Sequence, residues 1–221
     1  MKKLLMALTI VIVLSAVASA EVLITANPMG AGKLGWLAAG RYDSNISSSM
    51  TLMGAGGFLG YGVNDKLDIY GKVGYGSYGN FAVGVSSGST MMTGIAAKYQ
   101  LMAENGKDMP VSVAALLGYQ ASTATFNYII GSAQAVQGDI GIGAVVSKVI
   151  VPWVPYGAVV YHNLTTNPGA TTGTNLEVVL GSQMLLSKTS AVIGEVSLNS
   201  ISSGGSTSSN NQISVGYTAK I

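Results

Sequence analysis

The segment GYGVNDKLDIYGKVGY, residues 60–75, decides the fold of this chain. Its second half alternates in residue type: Leu67, Ile69, Val73 and Tyr75 share one parity, whereas Asp68, Tyr70 and Lys72 share the other. Because successive side chains of a β-strand point to opposite faces, this alternation predicts a strand with one apolar and one mixed face. Asn64-Asp65-Lys66, just ahead of it, is typical of a tight turn. The segment therefore predicts two antiparallel strands joined by a short turn.

The same two-residue period recurs along the chain and predicts about ten strands. It is clear in five further segments, residues 91–101, 136–148, 176–186, 192–199 and 213–221. It is less regular or richer in glycine in residues 33–42, 50–63, 111–126 and 154–163. These spans suit strands that cross a bilayer, which need roughly 9–11 residues when tilted. Eight or twelve strands stay open, because strand boundaries read from a sequence are good to about 2–4 residues.

The composition favours a strand protein in lipid over a soluble one. Thirty glycines are spread along the 221 residues, and glycine disfavours helix. Charged residues make up only 9% of the chain, too few for the charged outer face of a soluble β-sandwich. Cysteine is absent, which excludes disulfides and cysteine-based metal sites. The prediction is an all-β fold, a single antiparallel up-and-down transmembrane β-barrel.

The first twenty residues have the three parts of a secretory signal peptide. Lys2 and Lys3 form a positive start, residues 4–17 form an apolar core, and Ala18-Ser19-Ala20 offers a cleavage site. We therefore expect cleavage after Ala20, a short lead-in over residues 21–29 and the barrel over residues 30–221. Without the signal peptide the chain has nine basic and nine acidic residues. No basic patch is left that would indicate a nucleic acid partner.

The connections predict the two sides of the barrel. Residues 64–66 and 188–189 are tight turn signals, whereas the intervening ends are rich in Ser, Thr, Asn and Gly. With the N-terminus in the periplasm, the tight turns fall on the periplasmic side, as in bacterial outer-membrane barrels. The expected outer loops are residues 43–49, 79–89, 127–133, 164–173 and 202–211.

On these features the chain resembles the small outer-membrane β-barrel proteins of Gram-negative bacteria, the group of opacity-type and porin-like barrels. The segment at residues 60–75 looks like their strand–turn–strand unit. Val215, Tyr217 and Ala219 keep the alternation of their last strand, with Ile221 in place of the usual terminal aromatic. The resemblance implies a place in the bacterial outer membrane, with its lipid as a partner. It also implies assembly by the barrel-assembly machinery through the C-terminal strand.

Nearly every charge inside a predicted strand has inward parity, as expected if charges avoid lipid. The inward set is Lys33, Arg41, Asp68, Lys72, Lys98, Asp139, Glu177, Glu195 and Lys220. These charges could line a narrow porin for small solutes, which would then be a partner. They could equally form ion pairs that plug the lumen, giving a structural or surface-interaction barrel, since barrels of about eight strands are filled by side chains. Both functions stay open, as does a secreted soluble β-protein.

The remaining polar and aromatic residues give no sign of catalysis. His162 is the one histidine, and we expect it at the surface near the outer end of the seventh strand. Asp43 is the acid we expect in an outer loop, too little for a catalytic site. Scattered carboxylates with one histidine give no metal-ligand spacing, so we expect no enzyme, cofactor or metal. Outward aromatic residues predict an interfacial girdle: Trp36, Tyr42, Tyr61, Tyr75, Tyr99, Tyr119, Tyr156 and Tyr217.

Overall fold

The computed structural model describes residues 25–221 except 45–49, 81–84, 106–107, 129–130 and 168–170, so the predicted signal peptide and its cleavage site lie outside the described residues. The described chain forms ten strands: β1 (Leu34–Ser44), β2 (Thr51–Gly62), β3 (Leu67–Gly79), β4 (Val85–Met102), β5 (Ser112–Tyr128), β6 (Gly131–Ser147), β7 (Trp153–Asn167), β8 (Thr171–Leu185), β9 (Ser190–Ser203) and β10 (Ser206–Lys220). No helix in this part of the chain is long and apolar enough to cross a membrane.

Each strand pairs antiparallel with the next one in the chain, and β1 pairs with β10 to close the sheet. The closed ten-stranded up-and-down barrel confirms the predicted fold. The β2–β3 unit pairs as the opening segment predicts, with Tyr61 opposite Ile69 and Gly60 opposite Tyr70. Closure leaves no free sheet edge, so the backbone hydrogen bonds of the wall are satisfied within it.

The outer face of the wall carries a belt of exposed apolar side chains. In β4, β8 and β2 the side chains of Ile95, Leu180 and Met53 are each 66% exposed. Along each strand the belt ends at an outward polar residue, for example Ser77 in β3, Ser200 in β9 and Asn211 in β10. A continuous apolar surface of this kind is rarely exposed by soluble monomers and suits the lipid-facing side of a membrane barrel.

The two ends of the barrel differ. We call the end that carries residues 25–33 and the connections 63–66, 103–111, 148–152 and 186–189 the turn end, and the other the loop end. At the loop end the strands run further than expected, and most residues of the predicted outer loops belong to strands. Between β9 and β10 only Gly204 and Gly205 remain outside the ladder, both with positive φ, at 58° and 82°. Glycine suits such a two-residue hairpin turn because it lacks a Cβ.

The expected assignment of these segments to outer loops is therefore corrected for the described residues: most of the Ser- and Thr-rich residues belong to strand extensions beyond the apolar belt. The outward side chains of these extensions are polar because they contact water. Their backbone is still hydrogen-bonded to the neighbouring strands. Asp43, expected in an outer loop, is likewise part of β1 and pairs with Leu52 and Gln212 in the sheet register.

Candidate functional site: the barrel interior

The barrel interior holds most of the predicted inward charges. Seven of the nine are buried: Arg41, Asp68, Lys72, Lys98, Asp139, Glu177 and Glu195. The other two, Lys33 and Lys220, have exposed side chains at the turn end, although their positions continue the inward parity of β1 and β10. Two charged or titratable residues outside the predicted set, Asp43 and His162, are fully buried with them.

At the turn end, Lys98 and Asp68 form an ion pair that also holds the N-terminal segment, residues 25–31. The Lys98 Nζ lies 3.1 Å from the Asp68 Oδ2 and donates to the backbone carbonyls of Thr25 and Asn27 at 3.0 and 2.7 Å. The Asp68 carboxylate in turn accepts the backbone N–H of Met29 at 3.1 Å from both of its oxygens. Tyr70 donates its hydroxyl to the same carboxylate at 3.0 Å. The Lys98 ammonium, the Met29 N–H and the Tyr70 hydroxyl thus all point to the buried Asp68 carboxylate.

The barrel wall fixes the N-terminal segment at further points. The backbone N–H of Ala26 donates to the Ser147 hydroxyl at 3.1 Å, and the Ser112 hydroxyl donates to the Asn27 side-chain oxygen at 2.7 Å. Ala26 is completely buried and belongs to the main cluster of apolar side chains in the barrel interior. The predicted lead-in, in its described part, therefore enters the mouth of the barrel instead of lying outside it.

Two inward glycines make room for this segment. A Cβ on Gly60 would lie 2.7 Å from the Met29 Cε and 2.8 Å from the Tyr70 ring, and one on Gly35 would lie 2.7 Å from the Met29 Sδ. Real Cβ atoms essentially never make contacts under 3 Å, so a side chain at either position would force the Met29 side chain to move, and one at Gly60 would also meet the Tyr70 ring. The glycine-rich sequence of β1 and β2 thus shapes a cradle for residue 29.

Near the loop end, Arg41 and Asp43 form a buried pair within one strand. The Arg41 Nε donates to the two carboxylate oxygens of Asp43 at 3.2 and 3.0 Å. Residues two apart in a strand face the same side, so the parity of Arg41 was the signal that could have found Asp43. The apolar side chains of Leu52, Tyr78 and Phe126 are buried at this end, and the Tyr78 and Phe126 rings lie 5.1 Å apart.

His162 lies inside the barrel between two carboxylates, which corrects the expected surface position. Its ring Nδ1 is 3.0 Å from the Asp139 Oδ2, and its Nε2 is 3.3 Å from the Glu177 Oε2. Both contacts are hydrogen bonds at the same time only if both ring nitrogens carry protons or one carboxyl group does. The three residues come from β6, β7 and β8, neighbouring strands whose register places His162 opposite Gly141 and Asn175.

Tyr156 also faces inward, which corrects its expected place in the outer girdle. Its hydroxyl donates to the Glu195 Oε2 at 2.9 Å, and its ring covers Gly181, where a Cβ would lie 2.4 Å from the ring. Tyr156 and His162 share one parity of β7, and the structure places that parity inside the barrel. That strand has apolar residues on both faces, so its own sequence carries no readable alternation; pairing with β6 and β8 decides which face is inside. The other seven predicted girdle residues are outward and exposed to between 37% and 61%.

One half of the interior is rich in polar atoms that lack a protein partner. Within the described residues these include both side-chain heteroatoms of Gln137, the Asn175 Oδ1, the Glu177 Oε1 and the Asn199 Nδ2, all buried. They lie on β6, β8 and β9, around His162. The Asn175 amide does donate to the Asn199 oxygen at 2.8 Å. Buried polar groups of this kind are normally satisfied by protein or ordered water.

Two small cavities lie between the ends of the barrel interior. One interior cavity, bordered by Lys72, Gln120 and Asp139, has a volume of about 40 Å³, and another near Arg41 and Leu52 has about 20 Å³. A single water needs about 10–15 Å³, so each holds a few waters at most. In the described ranges no group of three or more His, Cys, Asp or Glu side chains is arranged to hold a metal ion, since the imidazole itself occupies the place between the carboxylates.

Solved structures with this architecture are outer-membrane proteins. The translocator domain of the autotransporter NalP from Neisseria meningitidis matches with a TM-score of 0.55 over 97% of this chain and 94% of that one, at 10% identity. The β-domain of the Bordetella autotransporter BrkA matches with a TM-score of 0.53 over 87% and 100%, at 11% identity. The chain has the fold of an outer-membrane β-barrel.

At such identities the likeness concerns the fold alone. The outer-membrane protease OmpT from Escherichia coli is similar with a TM-score of 0.49 and 12% identity, over 86% of this chain and 94% of that one. No protein-family model and no curated protein matches the chain. Its activity has to be argued from its own residues.

Proposed function

We propose that this chain is an integral barrel of the bacterial outer membrane with a closed lumen, acting as a structural or surface-interaction protein and not as an open pore. The apolar belt supports insertion in a bilayer, and it argues against a secreted soluble protein, which would expose that belt to water. The polar strand extensions at the loop end would stand above the membrane and offer Ser-, Thr- and Asn-rich edges to partners. The opacity-type resemblance agrees with this role.

The observation that carries the closed lumen is the occupation of the barrel along its length. The N-terminal segment, residues 25–31, is bound in the turn end by Lys98 and Asp68. Above it lie buried apolar side chains and the ion pairs, with cavities of about 20 and 40 Å³ between them. Toward the loop end, Leu52, Tyr78 and Phe126 belong to a further cluster of buried side chains. A ten-stranded barrel is close to the size that side chains alone can fill.

A narrow channel for small solutes is the second candidate, favoured by one observation. The unpartnered polar atoms around His162, among them the Glu177 Oε1 and the Gln137 amide, need water if they are to be satisfied. A file of waters along β6–β9 would be the start of a conducting path. The proposal gives His162 no catalytic role, because its ring is fully buried and out of reach of a substrate.

Single-channel recording separates the two candidates. Residues 21–221 are refolded, shown to be folded by heat-modifiable gel mobility, and inserted in a planar bilayer. A closed lumen predicts no discrete conductance steps. Steady steps from the folded barrel would contradict it.

A matched pair of variants identifies the path if steps are seen. Lys72→Gln alters a buried interior charge, whereas Lys66→Gln alters an exposed charge in the β2–β3 turn. A change of ion selectivity in Lys72→Gln with none in Lys66→Gln would establish the narrow channel in place of the closed barrel.

A further inference from the structure

A cavity of about 210 Å³ opens at the turn end, beside the N-terminal segment. Its inner wall is apolar and includes Leu37, Phe58, Val154, Leu185 and Ala191. It is several times larger than either interior cavity and has room for a small organic molecule as well as water. Ligand sites in proteins commonly combine such an apolar wall with a few polar groups that fix the orientation of the ligand.

The charged residues that line this cavity are all basic. They are Lys98, Lys188 and Lys220, and no Asp or Glu among the described residues lines it. Lys98 is paired with Asp68, as described above. Lys188 and Lys220 form no ion pair within the described residues, and both side chains are exposed.

The fold brings the backbones of these two lysines close together. The backbone N–H of Lys220 donates to the carbonyl of Thr189 at 2.7 Å, and Ala219 pairs with Ser190 in the β9–β10 register. Lys188 directly precedes Thr189 in the β8–β9 turn. Two adjacent like charges at the mouth of an apolar cavity repel each other, so an anion placed between them gains from both.

Two acids at this end of the barrel accept hydrogen bonds from other groups. Asp68 accepts bonds from Lys98, Tyr70 and the Met29 N–H, as described above. Glu104 accepts the backbone N–H of Val149, a residue of the cavity wall, at 2.9 Å. Neither Asp68 nor Glu104 lines the cavity, and the charge of Asp68 is balanced by Lys98, so Lys188 and Lys220 give the rim its basic character.

We propose that this cavity binds a small amphipathic anion. Its carboxylate or phosphate head would lie between Lys188 and Lys220, and its short hydrocarbon tail would lie against Phe58, Leu185 and Ala191. The position at the end of the apolar belt suits a ligand that partitions between water and membrane. The proposal does not depend on whether the lumen conducts.

Binding of octanoate tests the site. The chain 21–221 is reconstituted in phosphatidylcholine nanodiscs and titrated by saturation-transfer NMR against empty nanodiscs, which correct for partition into lipid. We expect saturable binding of octanoate and of octyl phosphate, and none of octylammonium. The double variant Lys188→Gln/Lys220→Gln should bind octanoate about tenfold more weakly, because both head-group contacts are lost. Lys148→Gln, an exposed lysine of the same end outside the cavity, should bind like the wild type.

A second variant removes the tail site without changing charge. Ala191→Phe places a ring in the cavity and should abolish octanoate binding, with heat-modifiable gel mobility showing that the barrel is folded. If this variant does not fold, the lysine variants, which change exposed positions, test the proposal. Equal binding of octylammonium, no saturable binding, or the same affinity in the double variant and Lys148→Gln would overturn the proposal. Competition by phosphatidylglycerol in the nanodisc would identify a lipid head group as the natural source, and its absence a free anion.

Discussion

His162 shows how one residue can balance the barrel interior. Among the described residues five acids are buried inside, against three bases and this histidine. Asp43 and Asp68 have Arg41 and Lys98 as close partners, whereas Asp139 and Glu177 both face the imidazole. A carboxylate left in such a place without a partner is strongly unfavourable, since buried charges have to be paired.

Replacement of the imidazole tests this balance. We expect His162→Leu to lower the free energy of unfolding by about 3–5 kcal/mol, the usual effect of removing one partner of a buried ion pair. Guanidinium unfolding in detergent, followed by the fluorescence of Trp36 and Trp153, measures it.

The neighbour of His162 supplies the control. Asn163→Leu changes an exposed, outward residue and should stay within about 0.5 kcal/mol of the wild type. The triple variant His162→Leu/Asp139→Asn/Glu177→Gln should regain part of the loss, because it no longer contains the unpaired carboxylates. Equal stability of His162→Leu and Asn163→Leu would show that His162 does not stabilise the buried carboxylates of Asp139 and Glu177.

At the scale of elements, the N-terminal segment behaves as a part of the barrel and not as a tail. It has no secondary structure of its own, and its order comes from hydrogen bonds to β3, β4, β5 and β6 and from the glycine cradle. Such a segment stays in place only while the cradle has room for the Met29 side chain.

Cysteine labelling can report whether the segment is seated, because the chain contains no native cysteine. In an Ala26→Cys background, whose position is completely buried, we expect no reaction with a membrane-impermeant maleimide. Adding Gly60→Val should expose the thiol, since the new side chain would collide with Met29 and Tyr70. Adding Gly71→Val instead should not, because a Cβ there meets nothing within 4 Å. Equal labelling of the two double variants would contradict the role of the cradle.

At the scale of the whole molecule, the barrel buries most of its charged side chains together with an apolar cluster in the interior, and its outer face is an apolar belt. The belt is continuous around the ten strands and ends in polar residues toward the loop end, which defines where the bilayer would stop. The strands continue past this boundary because their backbone groups are hydrogen-bonded to neighbouring strands, which does not require lipid.

Placing a lysine at two heights of β9 tests the position of the bilayer. Val196→Lys, within the belt, should lower the free energy of unfolding from liposomes by about 2–4 kcal/mol, and Ser200→Lys, at its polar boundary, by about 0–1 kcal/mol. Denaturant unfolding monitored by tryptophan fluorescence gives both values. Similar small effects at the two positions would mean that the belt does not face lipid.

The sequence alone predicted an all-β barrel of about ten strands and the face of most charges, because side chains that alternate between lipid and interior alternate in residue type; eight or twelve strands stayed open until the structure gave ten. The sequence did not determine the parity of β7, whose two faces are both apolar, so Tyr156 and His162 were assigned to the wrong side. The Ser- and Thr-rich strand ends were also predicted to be loops. Polar residues indicate contact with water, but they do not show whether the backbone is hydrogen-bonded to a neighbouring strand. Only the tertiary structure decided these points, together with the seating of residues 25–31 in the mouth, since each depends on contacts between residues far apart in the chain.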